Sequence, residues 1–180
     1  DRQKREGVMS HMKRNIVAFS GTHGTGKTTA AYQLAADLKR SEHKEVGFVA
    51  ETARKCPYPC VSQTDAKPSR EAQLWIFTAQ MQAEMEASRI YPVVVSDRTV
   101  VDSIAYTSAL GFHDLAHALF QVARHYVYDA YMCVRLMRIP TDGPDLLVDD
   151  GVRSMDLDFR VEVEMALISA YNDLGVRVIQ

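Results

Sequence analysis

The sequence predicts a three-layer α/β fold, in which a five-stranded parallel sheet is flanked by helices. Short apolar runs alternate along the chain with longer segments whose apolar residues recur at helical spacing. The runs are nearly continuous in apolar residues, which is typical of strands buried on both faces of a parallel sheet. Strands that alternate with helices in this way favour parallel pairing with right-handed crossovers.

Each predicted strand is a short apolar run, and the clearest two are followed by a glycine or end in a carboxylate. Ile16 to Ser20 is followed directly by Gly21, and the three valines after Pro92 lead to the carboxylate of Asp97. Both runs are bounded by residues that interrupt a strand or lie at its end. In chain order, the strands are expected at 16–20, 46–50, 92–97, 131–137 and 176–179.

The segments between the strands have the periodicity of amphipathic helices. In the first of them, Ala31, Leu34, Ala35 and Leu38 lie on one face. Residues 52–69 contain three of the six prolines and are interpreted as a loop before a long helix. The helices are expected at 28–40, 70–90, 99–109, 114–126 and 158–174.

Composition indicates one globular domain. Of the 180 residues, 47% are hydrophobic and 24% are charged, and the net charge is −2. This balance makes nucleic acid a weaker candidate partner than a small molecule without excluding it. Residues 1–11 are interpreted as a tag or disordered segment, and 12–180 as the domain. With no apolar run near the roughly 20 residues that cross a bilayer, and only three cysteines, we expect a cytoplasmic protein without a membrane partner.

The stretch GTHGTGKTT lies between the first strand and the first helix and fits the P-loop pattern. Its glycines let backbone N–H groups turn toward phosphate oxygens, and the helix N-terminus favours bound anions. The lysine would reach the β- and γ-phosphates, and the first threonine after it would ligate Mg²⁺. We therefore expect a P-loop NTPase fold with ATP and Mg²⁺ as cofactors. The cofactor-binding residues are expected to be Gly21, Thr22, His23, Gly24, Thr25, Gly26, Lys27, Thr28 and Thr29.

Reactive side chains follow two further predicted strands. Glu51 comes after the second strand, and Asp97 and Arg98 come at the end of the third. Ligands of parallel α/β sheets bind at the carboxyl ends of the strands. We therefore expect these residues to meet the glycine loop at one edge of the sheet.

The segment from 97 to 106 resembles the DRY-x-x-S-x-x-A-Y segment of thymidylate kinases and, more loosely, the ERS segment of deoxynucleoside kinases. Thr99 stands where the thymidylate kinases have tyrosine, and Asp102 where they have serine. The resemblance implies that Asp97 lies beside the metal and the acceptor sugar, and that Arg98 contacts the transferred or acceptor phosphate. An ordinary ion pair at the strand end is the alternative interpretation.

The resemblance also implies roles for the segment that contains Glu51 and Arg54 and for the segment at about 141–158. A glutamate at the location of Glu51 accepts the proton of the acceptor hydroxyl in deoxynucleoside kinases, which implies a general base here. Arg54 would bind the acceptor, although a simple Glu-Arg capping pair is the alternative. Residues at about 141–158 correspond to the lid, from which Arg153 and Arg160 would close over the triphosphate. A solvated loop with surface arginines remains the other interpretation.

The long second helix borders the acceptor pocket in nucleoside kinases. Trp75 or Phe77 would stack there on a base, with core packing as the alternative, whereas Gln73 and Gln80 are expected at exposed positions. Its alanine- and methionine-rich face from 79 to 87 is the expected contact of a homodimer. The catalytic set is Lys27, Glu51, Asp97, Arg98, Arg153 and Arg160. The acceptor set is Glu51, Arg54, Trp75, Phe77, Asp97 and Arg98, and the metal ligands are Thr28 and Asp97.

Over most of 15–180 the motifs also resemble AAA-type nucleoside-kinase-like domains related to nicotinamide riboside kinases. The expected function is phosphoryl transfer from Mg-ATP to a nucleoside or a nucleoside monophosphate. One alternative is a P-loop ATPase or GTPase switch without a small-molecule acceptor, and another is a kinase that acts on a hydroxyl of DNA or of a modified base. The identity of the acceptor, and the choice between ATP and GTP as donor, stay open.

Overall fold

A computed structural model describes residues 15–42, 45–60, 68–140 and 156–179. It confirms the predicted α/β fold, and the described elements begin and end within four residues of the predicted positions. The strands are β1 (Ile16–Ser20), β2 (Val46–Val49), β3 (Val93–Asp97), β4 (Tyr131–Leu136) and β5 (Val178–Ile179). The helices are α1 (Lys27–Glu42), α2 (Arg70–Ile90), α3 (Val100–Ala109), α4 (His113–Ala130) and α5 (Leu157–Leu174). A short 3-10 turn, Ala53–Lys55, lies inside the predicted loop.

The five strands form one parallel sheet in the order β2-β3-β1-β4-β5. Phe19 of β1 is in register with Asp97 of β3, and Val49 of β2 with Ser96 of β3. The carboxyl ends of β2, β3 and β1 therefore lie side by side at one edge of the sheet. This adjacency brings the glycine loop, Glu51 and the Asp97-Arg98 pair together.

The central strands send alternate side chains into two helical layers. Ile16 and Val94 belong to the larger core, which is covered by the helices from α2 to α5. Phe19 and Val95 face the other way and pack with α1. Because both faces of the sheet are covered, most residues of its central strands β1 and β3 are apolar. None of the described helices is long and apolar enough to span a bilayer.

Helix α2 has a polar stripe that is buried against the sheet. The sequence-based expectation for Gln73 and Gln80 was wrong, since their exposed fractions are 2% and 1%. Gln80 Nε2 donates to Glu84 Oε1 at 2.8 Å and to Ser96 Oγ on β3 at 3.1 Å. Periodicity alone cannot reveal such a stripe, because it depends on polar partners from other elements.

Part of the face of α2 that was expected to form a dimer contact packs inside the chain. Met81, Ala83 and Ala87 are partly buried against the larger core. Met85 is 43% exposed and lies beside the exposed Gln82 and Glu86. The homodimer stays a prediction.

The buried Glu84 predicts a measurable pH dependence of folding stability. Tyr131 and Tyr126 donate to its Oε2 at 2.7 and 2.8 Å, yet burial raises the pKa of Glu84 from 4.5 to about 7. Since the folded pKa exceeds the unfolded one, this stability is fully present below about pH 4.5 and is lost as pH rises through about 7. The loss should amount to roughly 3 kcal/mol in wild-type protein.

Urea unfolding at pH 5 and pH 8 of wild-type protein and Glu84→Gln measures this effect. The glutamine variant has no titrating group at this position, so its stability relative to wild type should rise with pH. The raised pKa of Asp97, caused by burial, acts in the same direction but is common to both proteins. Parallel pH profiles of the two proteins would show that Glu84 does not titrate in this range.

Candidate functional site

A cavity of about 600 Å³ opens at the carboxyl ends of β1, β3 and β2. This volume lies within the range that is usual for small-molecule sites. Three segments of the chain, the glycine loop with the start of α1, the end of β2, and the end of β3, form its walls. The lining residues are Gly24, Gly26, Lys27, Thr28, Thr29, Tyr32, Ala50, Glu51, Arg54, Asp97 and Arg98.

The glycine loop has the backbone that a phosphate cradle requires. Gly21, Gly24 and Gly26 all have positive φ, at 144°, 76° and 81°. Side chains are strained in this region, and a Cβ at Gly21 would lie only 2.3 Å from the backbone oxygen of Met137. The loop leads into α1, which begins at Lys27 and presents its N-terminal N–H groups to the cavity.

Lys27 places its ammonium group across this loop. Its Nζ donates to the carbonyl oxygen of Thr22 at 2.5 Å and to Thr25 Oγ1 at 3.2 Å. Burial, assisted by the nearby charge of Arg98, lowers the pKa of Lys27 from 10.5 to about 7. The negative charge of a bound phosphate would favour the protonated lysine and oppose this shift.

The side-chain oxygens of Thr28 and Asp97 lie together at the cavity and are of the type that Mg²⁺ prefers. Thr28 Oγ1 donates to Asp97 Oδ2 at 2.7 Å, whereas the buried Asp97 Oδ1 has no hydrogen-bond partner among the described residues. A buried carboxylate oxygen without a donor is costly, and a cation would offset that cost. Burial raises the pKa of Asp97, against the hydrogen bond from Thr28, and a cation would reverse this shift.

Arg98 has an unusual backbone that is held on both sides. Its φ is 86°, which is uncommon for a residue with a side chain. Its N–H donates to the carbonyl oxygen of Phe19 at 2.9 Å, and its own carbonyl accepts from Ser96 Oγ at 2.9 Å and from Gln80 Nε2 at 3.3 Å. These bonds fix the strained turn after β3, which directs the guanidinium into the cavity.

The guanidinium of Arg98 forms the centre of a charged cluster. Its Nε lies 2.6 Å from Glu51 Oε1, and its Nη1 lies 3.5 Å from Asp102 Oδ1. Burial disfavours the charged guanidinium, but Glu51, Tyr106 and Asp102 more than offset this and raise the pKa of Arg98. Arg54 Nε approaches the other carboxylate oxygen of Glu51 at 3.3 Å. Glu51 is thus positioned by two guanidinium groups.

Asp102 and Tyr106, which the sequence analysis did not place in the site, connect the glycine loop to Arg98. The N–H of Gly21 donates to Asp102 Oδ1 at 3.1 Å, while Asp102 Oδ2 accepts from the N–H of Thr99 and completes the capping box of α3. The Tyr106 hydroxyl accepts from the N–H of His23 at 3.1 Å, and the tyrosine ring lies 5.2 Å below the guanidinium.

The structure places the predicted residues unevenly around the cavity. The glycine loop, Glu51, Arg54 and the Asp97-Arg98 pair are brought together. Phe77 belongs to the core with 2% of its surface exposed, and Trp75 is half-buried on α2; neither lines the cavity. Arg153 and most of the predicted lid lie outside the described residues.

Arg160 lies in α5 with 1% of its surface exposed. Because α5 begins at Leu157, the last residues of the segment that was expected to be the lid belong to this helix. Tyr32 is a lining residue that the sequence analysis missed. The signal that points to it is its helical spacing from Thr28 and Thr29, since residues three or four positions apart share a helix face.

Comparison with known proteins gives one family match and several similar folds. A family model described as an AAA domain matches residues 16–180. No curated protein matches the chain. The solved structures below have the same P-loop kinase fold, and at identities under 20% they show the fold alone.

The chain is similar to thymidylate kinase from Ehrlichia chaffeensis, with 18% identity, a TM-score of 0.63, and coverage of 93% of this chain and 87% of that one. It is similar to the NadR protein in complex with NR, with 19% identity, a TM-score of 0.69, and coverage of 94% of this chain but 45% of the NadR chain. It is also similar to deoxyadenosine kinase from M. mycoides with dCMP and dCDP bound, with 14% identity, a TM-score of 0.62, and coverage of 92% and 90%.

Proposed function

This chain belongs to the AAA domain family, and we propose that within it the chain is a kinase that transfers a phosphoryl group from Mg-ATP to a nucleoside or a nucleoside monophosphate. The observation that carries this proposal is the composition of a single cavity. The phosphate loop forms one wall, and the ion-paired Glu51 and Arg98 form another. A nucleotide switch would instead need a water-positioning residue and an arginine finger beside the phosphate loop.

The donor half of the proposed site consists of the glycine loop and the start of α1. Backbone N–H groups of the loop and of the helix N-terminus would bind phosphate oxygens, and the Lys27 ammonium would neutralise part of their charge. Thr28 and Asp97 would hold Mg²⁺ through their side-chain oxygens. When bound, Mg²⁺ supplies charge neutralisation and orientation to the transferred phosphoryl group.

The acceptor half consists of Glu51, Arg54 and Arg98. Glu51 would accept a hydrogen bond from the acceptor hydroxyl and take its proton as the phosphoryl group leaves the donor. Its ion pairs with two arginines hold this carboxylate in place. In a loose phosphoryl-transfer transition state little of the bond to the attacking oxygen has formed, so the hydroxyl proton can leave late.

Arg98 would stabilise the charge that develops on the transferred group. Its guanidinium is placed between the glycine loop and Glu51, with Nη1 at 3.4 Å from the carbonyl oxygen of Gly21. A planar guanidinium suits phosphate because it can make two parallel hydrogen bonds to the oxygens. Arg54, with about half of its side chain exposed at the cavity wall, would bind the phosphate of a monophosphate acceptor. Arg153 of the lid stays part of the proposal.

Similar folds with known ligands are consistent with this acceptor class. Thymidylate kinase and deoxyadenosine kinase are named for small acceptors that carry a base and a sugar, and the NadR structure contains NR. The chain spans less than half of the NadR chain, so the comparison covers one part of that protein. The shared feature is a phosphate loop on a parallel sheet, to which each protein adds its own acceptor contacts.

An ADP-release assay tests the proposal across several acceptor classes, with ATP and Mg²⁺ present throughout. The panel contains nucleosides, nucleoside monophosphates, nicotinamide riboside and duplex DNA with hydroxymethylated bases, and Lys27→Ala serves as the blank. At least one small acceptor should raise ADP release well above the rate with ATP alone, and its phosphorylated product should appear in equal amount.

Equal ADP release with and without every acceptor would overturn the kinase proposal and favour the nucleotide switch. Stimulation by DNA alone would move the acceptor from a small molecule to a polymer. Both outcomes require that Lys27→Ala abolishes the signal, which shows that the measured activity belongs to this cavity.

A further inference from the structure

We propose that Tyr32 is the stacking platform for the planar base of the acceptor. This inference rests on the proposed function, since it concerns the second substrate of the same cavity. It also replaces Trp75 and Phe77, which do not line the cavity, as the aromatic contact.

Tyr32 has the position that such a platform needs. It lies on α1, five residues after Lys27, and shares a helix face with Thr28 and Thr29. Among the described residues that line the cavity, it has the only aromatic side chain. More than half of its surface, 56%, is exposed.

The ring of Tyr32 is supported from behind by Phe48 of β2. The two rings are stacked with their centroids 4.3 Å apart and their planes inclined by 16°. Stacking on a partner that belongs to the sheet fixes the orientation of an otherwise exposed tyrosine on the helix. A ligand ring would then meet a surface that is already ordered, and would lose less free energy to the ordering of this side chain.

Tyr32 belongs to the acceptor side of the cavity. Its partner Phe48 precedes Ala50 and Glu51 on the same strand-to-loop segment, and both of these residues line the cavity with Arg54. A ring stacked on Tyr32 would therefore lie on the wall that contains the proposed base. A sugar attached to that ring would carry the hydroxyl or the phosphate toward Glu51 and Arg54.

The experiment compares ligand binding by isothermal titration calorimetry in wild-type protein, Tyr32→Ala and Tyr32→Phe. The probes are the nucleosides and nucleoside monophosphates of the activity panel, with purine and pyrimidine bases, together with nicotinamide riboside and ATP. In addition, 5,6-dihydrouridine has the sugar and hydrogen-bonding groups of uridine but a ring that is neither planar nor aromatic. Tyr58→Ala is the matched control, because Tyr58 is 45% exposed but does not line the cavity.

We expect Tyr32→Ala to raise the Kd of the ring-bearing acceptor on the order of 10-fold, the usual effect of losing an aromatic partner of a base. Tyr32→Phe should keep the wild-type Kd within about twofold, because the ring is retained. If uridine is among the ligands, dihydrouridine should bind wild-type protein more weakly and should not respond to Tyr32→Ala. The Kd of ATP should be the same in all four proteins.

Three results would overturn the inference. One is that no ring-bearing probe other than ATP binds. Another is that the probe which binds best has the same Kd in Tyr32→Ala as in wild type. The third is that Tyr32→Ala weakens ATP instead, which would assign the platform to the donor base. If Tyr32→Ala transferred phosphate with an unchanged KM for the acceptor, the kinase proposal would stand and the role of Tyr32 would be wrong. If binding depended on Tyr32 but no phosphoryl transfer occurred, the role of Tyr32 would stand and the kinase proposal would be wrong.

Discussion

Replacing Glu51 with glutamine should lower kcat for the best acceptor on the order of 100-fold, while the Kd of ATP stays nearly unchanged. The amide keeps the size of the side chain and can still accept hydrogen bonds, but it cannot take up the proton of the acceptor hydroxyl. The expected effect is near the lower end for a lost general base, because phosphoryl transfer depends mostly on positioning and electrostatic stabilisation. Single-turnover kinetics and ATP titration measure the two quantities.

A double-mutant cycle tests whether Glu51 acts as a general base or only as the ion-pair partner that positions Arg98. If Glu51 acted solely through its ion pair with Arg98, Glu51→Gln combined with Arg98→Ala would lose no more activity than Arg98→Ala alone. A base makes its own contribution, so the double variant should be slower than either single one. Asp102→Asn is the matched comparison, since Asp102 is also an anionic neighbour of Arg98 but does not line the cavity. Wild-type turnover in Glu51→Gln would remove Glu51 from the catalytic set.

The convergence of the glycine loop, Glu51 and Asp97-Arg98 was predictable from the sequence, because the carboxyl ends of parallel strands share one edge. The strand order was not, and it is this order that places β2, β3 and β1 next to one another. An order with β2 at the other edge of the sheet, next to β5, would have placed β4 and β5 between Glu51 and the phosphate loop instead of β3 alone. Periodicity identifies elements but contains no information about which strands become neighbours.

Residues whose roles depend on contacts between distant parts of the chain escaped the sequence analysis. Asp102 was noted only as a departure from a motif, yet it accepts the N–H of Gly21, which is 81 positions away. Gln80 was expected at the surface, but Ser96 and the strained turn at Arg98 supply partners that make its burial favourable. The role proposed for Tyr32 depends on its stacking against Phe48 of β2. In each case the residue type is ordinary, and only the tertiary partner shows its use.

The second large effect is expected for Arg98→Ala, which should damage both activity and folding stability. Activity should fall at least on the order of 100-fold, because a preorganised cation beside the transferred group is lost. The free energy of unfolding near neutral pH should fall by about 3 kcal/mol, since the largely buried carboxylates of Glu51 and Asp102 lose their shared cation. Stopped assays and urea unfolding of the same preparations measure the two effects.

Two further substitutions of Arg98 separate the loss of activity from the loss of folding stability. Arg98→Gly removes the same guanidinium but accepts the φ of 86° without strain, so it should be more stable than Arg98→Ala by about 1 kcal/mol and equally inactive. Arg98→Lys keeps a cation near Glu51 without the paired donors, and should recover more stability than activity.

If Arg98→Ala lost stability but kept its turnover, Arg98 would be a structural ion pair at the end of β3, and phosphate binding would have to come from Lys27 and the glycine loop alone.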